Sequence, residues 1–146
     1  AITLLSTEEK HTLLTTFNQT EAPYPQDQSL VALFEAQVAR TPDNIALVFE
    51  GQSLTYRELN GRANQLARQI RQTYREIQQT ALSADTLVAL YLDRSPEMVI
   101  SILAVLKAGA AYVPISPEYP AERSTFILED TRAPVVITHA PQRAQV

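Results

Sequence analysis

Residues 106–117 read Leu-Lys-Ala-Gly-Ala-Ala-Tyr-Val-Pro-Ile-Ser-Pro. This stretch constrains the fold most strongly, because its pattern predicts the end of a helix followed by the start of a strand. Gly109 is the residue type that most often ends a helix in the left-handed conformation. Lys107 falls in the last helical turn, where the helix macrodipole favours a cation. We therefore predict that a helix ends at Gly109 and that Ala111–Ile115 is extended.

The elements on either side of this stretch alternate between strand and helix. Thr86–Leu92 is apolar enough for a buried parallel strand, and Ser95-Pro96 supplies an N-cap and first helical residue for an apolar helix, Met98–Leu106. Pro120 opens a helix that runs to Asp130, and Val135–Thr138 is a final strand. This alternation predicts an α/β fold, a mainly parallel sheet with flanking helices.

Upstream, two segments carry a capping box, a hydroxyl residue followed three positions later by Glu. Thr55 and Glu58 open a long amphipathic helix whose buried face we predict to run from Tyr56 to Ile77. Ser6 and Glu9 open a short helix that ends near Asn18.

Between these two helices the sequence predicts three further features. Leu30–Val38 has helical spacing and ends at Thr41-Pro42, Ile45–Phe49 is a short strand, and Gly51 makes a turn. Gln19–Gln28 contains two prolines among polar residues and is interpreted as a linker.

The composition of the chain excludes several classes of protein. The chain has 146 residues, a net charge of −4, no cysteine and only three glycines. Disulfides, thiolate metal sites and a basic nucleic-acid surface are excluded, and no apolar run approaches the roughly 20 residues of a membrane span. A cytoplasmic location is expected. His11 and His139 lack a second ligand at helical spacing, so no metal site is predicted.

Two segments resemble a known family. Residues 54–59, Leu-Thr-Tyr-Arg-Glu-Leu, resemble a signature near the start of the adenylation domains of nonribosomal peptide synthetases, and residues 106–117 are similar to the second core motif of those domains. Residues 93–98 and 128–130 also fit the pattern. Residues 1–28 are similar to the linker that follows a condensation domain, which leaves 29–146 as the N-terminal portion of the adenylation domain.

The resemblance implies the first part of the large N-terminal subdomain of an adenylate-forming enzyme, in the superfamily of acyl-CoA synthetases and luciferases. The complete domain would use ATP and Mg to turn an amino acid into an aminoacyl-adenylate and load it onto a phosphopantetheine carrier protein. The family's ATP-binding loop lies further along the chain than Val146. We therefore expect a truncated scaffold that is inactive alone, with no catalytic, cofactor or metal residue of its own.

The implied partners are the rest of the adenylation domain, the condensation and carrier domains of the same synthetase, and a small helper protein. Self-association through an unpaired sheet edge is also expected, whereas nucleic acid and membranes are not. One alternative is a non-catalytic docking module derived from such a domain. An unrelated nucleotide-binding α/β protein would need a Gly-rich loop between a strand and a helix, which the sequence lacks.

The motif residues are interpreted as structural, and functional alternatives exist for some of them and for one neighbouring stretch. Lys107 could contact phosphate, Glu58 could act as a general base, Tyr112 and Pro114 could touch a ligand, and residues 118–132 could form a docking surface. The motif residues in this set are Leu54, Thr55, Tyr56, Glu58, Leu59, Leu106, Lys107, Gly109, Tyr112, Pro114 and Pro117.

Two departures from the family pattern stand out. Ser116 replaces the usual Asp but can still form local turn hydrogen bonds. The segment from Arg71 to Asp85 is longer than usual and lacks the Gly and Pro that generally form a turn there, which predicts a longer helix or an extra turn.

Overall fold

The computed structural model describes residues 4–139. Its helices are α1 (Thr7–Leu14), α2 (Leu30–Arg40), α3 (Tyr56–Gln78), α4 (Pro96–Ala108) and α5 (Ala121–Thr131), with a short 3₁₀ helix at Thr16–Asn18. Its strands are β1 (Ile45–Phe49), β2 (Gln52–Thr55), β3 (Leu87–Tyr91), β4 (Ala111–Ile115) and β5 (Val135–Thr138).

Strands β3, β4 and β5 form a parallel sheet in the order β4-β3-β5. The central strand β3 is almost completely buried, as its continuous apolar sequence predicts. Val88 and Leu90 face a core cluster shared with α3 and α4, whereas Ala89 and Tyr91 face a second cluster shared with α5. Helices therefore cover both faces of the sheet, and the predicted α/β fold with a parallel sheet is confirmed.

Strands β1 and β2 form an antiparallel hairpin that contributes to a third cluster, around Leu54, Leu59 and Ile100. Its turn places Glu50 and Gly51 at φ values of 46° and 78°, the left-handed geometry that matches the twist of a two-residue hairpin. The sequence predicts β1 and the turn at Gly51 but not β2, which has only four residues, two of them exposed.

Helix α3 occupies the first half of the 71–85 segment, where the sequence predicts a longer helix or an extra turn. It extends to Gln78 and ends on Gln79, which takes the left-handed conformation. Leu82 then packs against the same core cluster as Tyr74. The predicted buried face is wrong at its end, because Ile77 is 53% exposed. The contacts of α3 with that cluster end at Tyr74, one turn earlier.

The N-terminal segment forms α1 and the 3₁₀ helix. The capping box of Ser6 and Glu9 is present, so the predicted start is confirmed, but the α-helix ends at Leu14 and the 3₁₀ turn completes the path to Asn18. Leu13, Leu14 and Phe17 are all exposed. Residues 19–28 contain neither helix nor strand.

Candidate functional site: the two motif segments

The first motif segment opens α3 through the capping box of Thr55 and Glu58. The backbone N–H of Glu58 donates to Thr55 Oγ1 at 3.2 Å, and the backbone N–H of Thr55 donates to Glu58 Oε2 at 2.8 Å. The hydrogen bond from the Thr55 backbone, followed by that from its hydroxyl, holds the pKa of Glu58 below its ordinary value of 4.5. These hydrogen bonds stabilise the charged carboxylate, which suits a helix cap, and the lower pKa makes the group a weaker base.

The remaining residues of this segment attach α3 to its surroundings. Leu54 and Leu59 are buried in one cluster. The backbone N–H of Tyr56 donates to Asn44 O at 3.0 Å, and the Tyr56 ring lies 6.1 Å from that of Phe34 in α2. This distance is typical of an attractive aromatic pair.

The second motif segment begins with the end of α4, where Gly109 takes φ 88°. The N–H of Gly109 donates to Leu106 O, and the N–H of Ala110 donates to Val105 O, both at 3.1 Å. This pair of bonds is the Schellman motif. The predicted helix end at Gly109 is confirmed.

Lys107 is the most buried cation of the motif segments, with a side chain only 4% exposed. Its ammonium pairs with the carboxylate of Glu35 in α2 and lies 5.8 Å from the centroid of the Phe34 ring. The adjacent carbonyls of Lys107 and Ala108 accept hydrogen bonds from the guanidinium of Arg71 in α3.

Strand β4 carries the rest of the second motif along the edge of the described sheet. Tyr112 pairs with Val88 and Pro114 with Leu90, and both motif side chains are exposed. A proline has no N–H to donate, so it is tolerated on such an edge strand. Pro117 lies in the turn that follows.

Ser116 opens this turn. Its carbonyl accepts from the Tyr119 N–H at 3.1 Å, and its hydroxyl accepts from the Glu118 N–H at 3.3 Å. The predicted local turn hydrogen bond is confirmed.

The two motif segments therefore meet through α2, which belongs to neither. Phe34 contacts Tyr56 of the first and lies beside Lys107 of the second. Sequence reasoning missed Phe34, Glu35 and Arg71. Arg71 lies on a helix that the sequence predicts well, but its partners are 36 and 37 residues away, and no local pattern marks such contacts.

Two further cations, one of them in the first motif segment, have partners at the surface. Arg57 pairs with Asp43 at 3.0 Å between exposed side chains, and Arg123 lies 4.5 Å from the centroid of the Tyr119 ring. Between residues 4 and 139, no three acidic or histidine side chains form a group that could hold a metal ion. In the same range, no helix is long and apolar enough to cross a membrane.

Comparison with protein-family models gives one match, described as AMP-binding enzyme, over residues 34–146. The chain belongs to the AMP-binding enzyme family. The matched range contains both motif segments and every strand of the parallel sheet.

Individual members of the AMP-binding enzyme family resemble the chain over most of its length. Tyrocidine synthase 3 of Brevibacillus parabrevis is 49% identical over 148 aligned residues, which cover 99% of this chain and 2% of that protein. The nonribosomal peptide synthetase FmoA3 (S1046A), solved bound to α-methyl-L-serine-AMP, aligns with TM-score 0.73 and 31% identity over 84% of this chain and 13% of that one. The N-terminal subdomain of Klebsiella oxytoca NpsA aligns with TM-score 0.68 and 30% identity over 78% of this chain and 28% of that one.

This AMP-binding enzyme sequence spans only 2–5% of the length of the curated synthetases that it matches. It corresponds to part of the adenylation domain of a nonribosomal peptide synthetase, and its fold matches the N-terminal subdomain of such domains. The family resemblance drawn from residues 54–59 and 106–117 is confirmed.

Proposed function

We propose that residues 29–146 form the first part of the large N-terminal subdomain of an amino-acid adenylation domain and act there as a scaffold. In the complete domain, an amino acid carboxylate attacks the α-phosphate of ATP, pyrophosphate leaves, and the thiol of a phosphopantetheine carrier then displaces AMP. The observation that carries the proposal is that Lys107 and Arg71, the cations of the second motif region, are engaged by Glu35 and by backbone carbonyls.

We infer that the described residues do not form a complete site for Mg-ATP. Adenylyl transfer needs cations and backbone donors gathered around phosphates, together with acidic ligands for the metal. The buried ammonium of Lys107 already has an anionic partner, and within residues 4–139 no group of three or more acidic or histidine side chains could hold a metal ion. We infer that the nucleotide is held by other parts of the domain and that this segment supports them.

The proposed boundary between residues 28 and 29 is supported by how α2 begins and packs. The Ser29 hydroxyl accepts from the Ala32 N–H at 3.2 Å and caps the helix. Phe34 and Glu35 then contact Tyr56 and Lys107. Residues 1–28 are proposed to be the linker from a preceding condensation domain.

The proposed partners follow from this placement. They are the rest of the adenylation domain, the condensation and carrier domains of the same synthetase, and a small helper protein, in the cytoplasm. Self-association of the chain is proposed to use β5, an outer strand of the described sheet. The other outer strand, β4, is less suited to pairing because Pro114 has no N–H to donate.

Amino-acid-dependent exchange of labelled pyrophosphate into ATP tests the proposal. Two chains are compared, the 146-residue chain and one extended through the following several hundred residues of its parent. We expect exchange only in the longer chain, with one or a few amino acids. Exchange by the short chain would show that the ATP site lies within it, and silence in both would favour the non-catalytic docking module.

A further inference from the structure

The end of α4 satisfies all of its last four carbonyl groups, which a helix cannot do with its own backbone N–H groups. Val105 O and Leu106 O accept from the N–H groups of Ala110 and Gly109. The next two carbonyls, those of Lys107 and Ala108, accept from the side chain of Arg71. Two of the four carbonyls are therefore hydrogen-bonded by a residue of another helix.

The cation that binds these carbonyls is the guanidinium of Arg71 and not the ammonium of Lys107. The Lys107 ammonium is directed to Glu35 in α2, so its charge stabilises an ion pair between helices. Arg71 places a positive charge on the carbonyls themselves, where the macrodipole is most favourable to a cation. Its Nε lies 3.0 Å from Ala108 O, while Nη2 donates to Lys107 O.

We propose that Arg71 is a positioning residue for the second motif, an inter-helix cap that holds the turn between α4 and β4. The planar guanidinium presents parallel donors in a fixed fork and can reach two successive carbonyls at once. The turn that it holds leads directly into β4, whose first N–H, that of Ala111, donates to Thr86 O at 2.9 Å. That bond begins the pairing of β4 with β3.

Arg68 provides a matched control on the same helix. It lies three residues before Arg71, is also exposed, and its Nε donates to Asn64 O within α3 at 3.2 Å. Replacing either arginine by methionine removes one charge and keeps most of the aliphatic stem. Only the change at Arg71 removes donors from the end of α4.

The test is site-resolved amide hydrogen exchange by NMR on the 146-residue chain. In Arg71→Met, we expect exchange at the Gly109 and Ala110 amides to become about tenfold faster relative to the β3 amides of the same variant, since a charge-assisted hydrogen bond contributes about that factor. Arg71→Lys should recover part of the protection, because an ammonium can still donate to one of the carbonyls. Arg68→Met and Lys107→Met should leave these two amides within about threefold of the parent chain.

Three results would overturn the proposal. Unchanged exchange at Gly109 and Ala110 in Arg71→Met would show that the guanidinium does not hold the turn. An equal increase in Arg68→Met would reduce the effect to the loss of charge on α3. A larger increase in Lys107→Met would return the capping role to the lysine.

Discussion

The carboxylate of Glu35 pairs with the ammonium of Lys107 across 72 residues of sequence. This contact ties α2 to the last turn of α4, and the neighbouring ring of Phe34 lies 5.8 Å from the same ammonium. A lysine side chain that is only 4% exposed needs such a partner, because a buried charge without one is strongly destabilising. The most distinctive motif of the chain is thus held by residues outside both motifs.

Replacing Glu35 should destabilise the folded chain more than replacing Lys107. Glu35→Ala leaves the Lys107 ammonium buried and unpaired and should lower the free energy of unfolding by about 2 kcal/mol. Lys107→Met fills the same space without a charge and leaves Glu35, which is 52% exposed, to be solvated by water. Its expected cost is about 1 kcal/mol or less.

Urea unfolding of the two single variants and the double variant measures this difference. The exposed pair of Arg57 and Asp43 is the control, since Asp43→Ala should change stability by less than about 1 kcal/mol. Equal costs for Glu35→Ala and Lys107→Met would contradict the claim that burial of the lysine dominates.

The capping box of α3 should make stability depend on acidity. The pKa of Glu58 is lowered in the folded chain, first by the Thr55 backbone hydrogen bond. A lowered folded pKa contributes stability that is fully present above the unfolded pKa and is lost as the pH falls through the folded one. The contribution should therefore begin to fall as the pH drops below about 4.5 and be lost once the pH has passed through the lowered pKa of the folded chain.

Glu58→Gln should flatten the acid limb of the stability profile between pH 5 and pH 3, because the amide still accepts the cap hydrogen bond but does not titrate in this range. Thermal unfolding across this range measures the slope, and Glu129→Gln, an exposed acid of α5, is the control. A profile as steep in Glu58→Gln as in the parent chain would be inconsistent with the cap. Thr55→Ala should cost about 1 kcal/mol at neutral pH.

Two glycine-to-alanine substitutions should change the free energy of unfolding in opposite directions. Gly109 takes φ 88°, so Gly109→Ala should cost about 1–2 kcal/mol through backbone strain. Gly61 lies inside α3, where an added Cβ meets nothing within 4 Å, and Gly61→Ala should stabilise the chain by about 0.5–1 kcal/mol. Chemical denaturation of both variants is the measurement, and a stabilising Gly109→Ala would refute the left-handed cap.

The sequence predicts the parts of this fold that depend on local signals. The caps at Ser95, Thr55 and Gly109, and the apolar strand Leu87–Tyr91, each depend on residues within a few positions of one another. The family motifs add the placement of these elements within an adenylation domain.

What the sequence does not predict depends on contacts over long distances in the chain. Strand β2 is defined by its pairing with β1, since it has only four residues and Leu54 is the one apolar residue among them. The partners of Lys107 and Arg71 lie on other helices, and only the packing of α2, α3 and α4 brings them together. Ile77 fits the helical pattern but lies beyond the point where α3 meets the core.

We propose that this chain supports an ATP site that it does not itself contain. Equilibrium dialysis of the 146-residue chain against radiolabelled ATP and magnesium tests it most directly, with the extended chain dialysed in parallel. We expect saturable binding by the extended chain and none by the short one up to millimolar ATP. Saturable binding of one ATP per short chain would contradict the account.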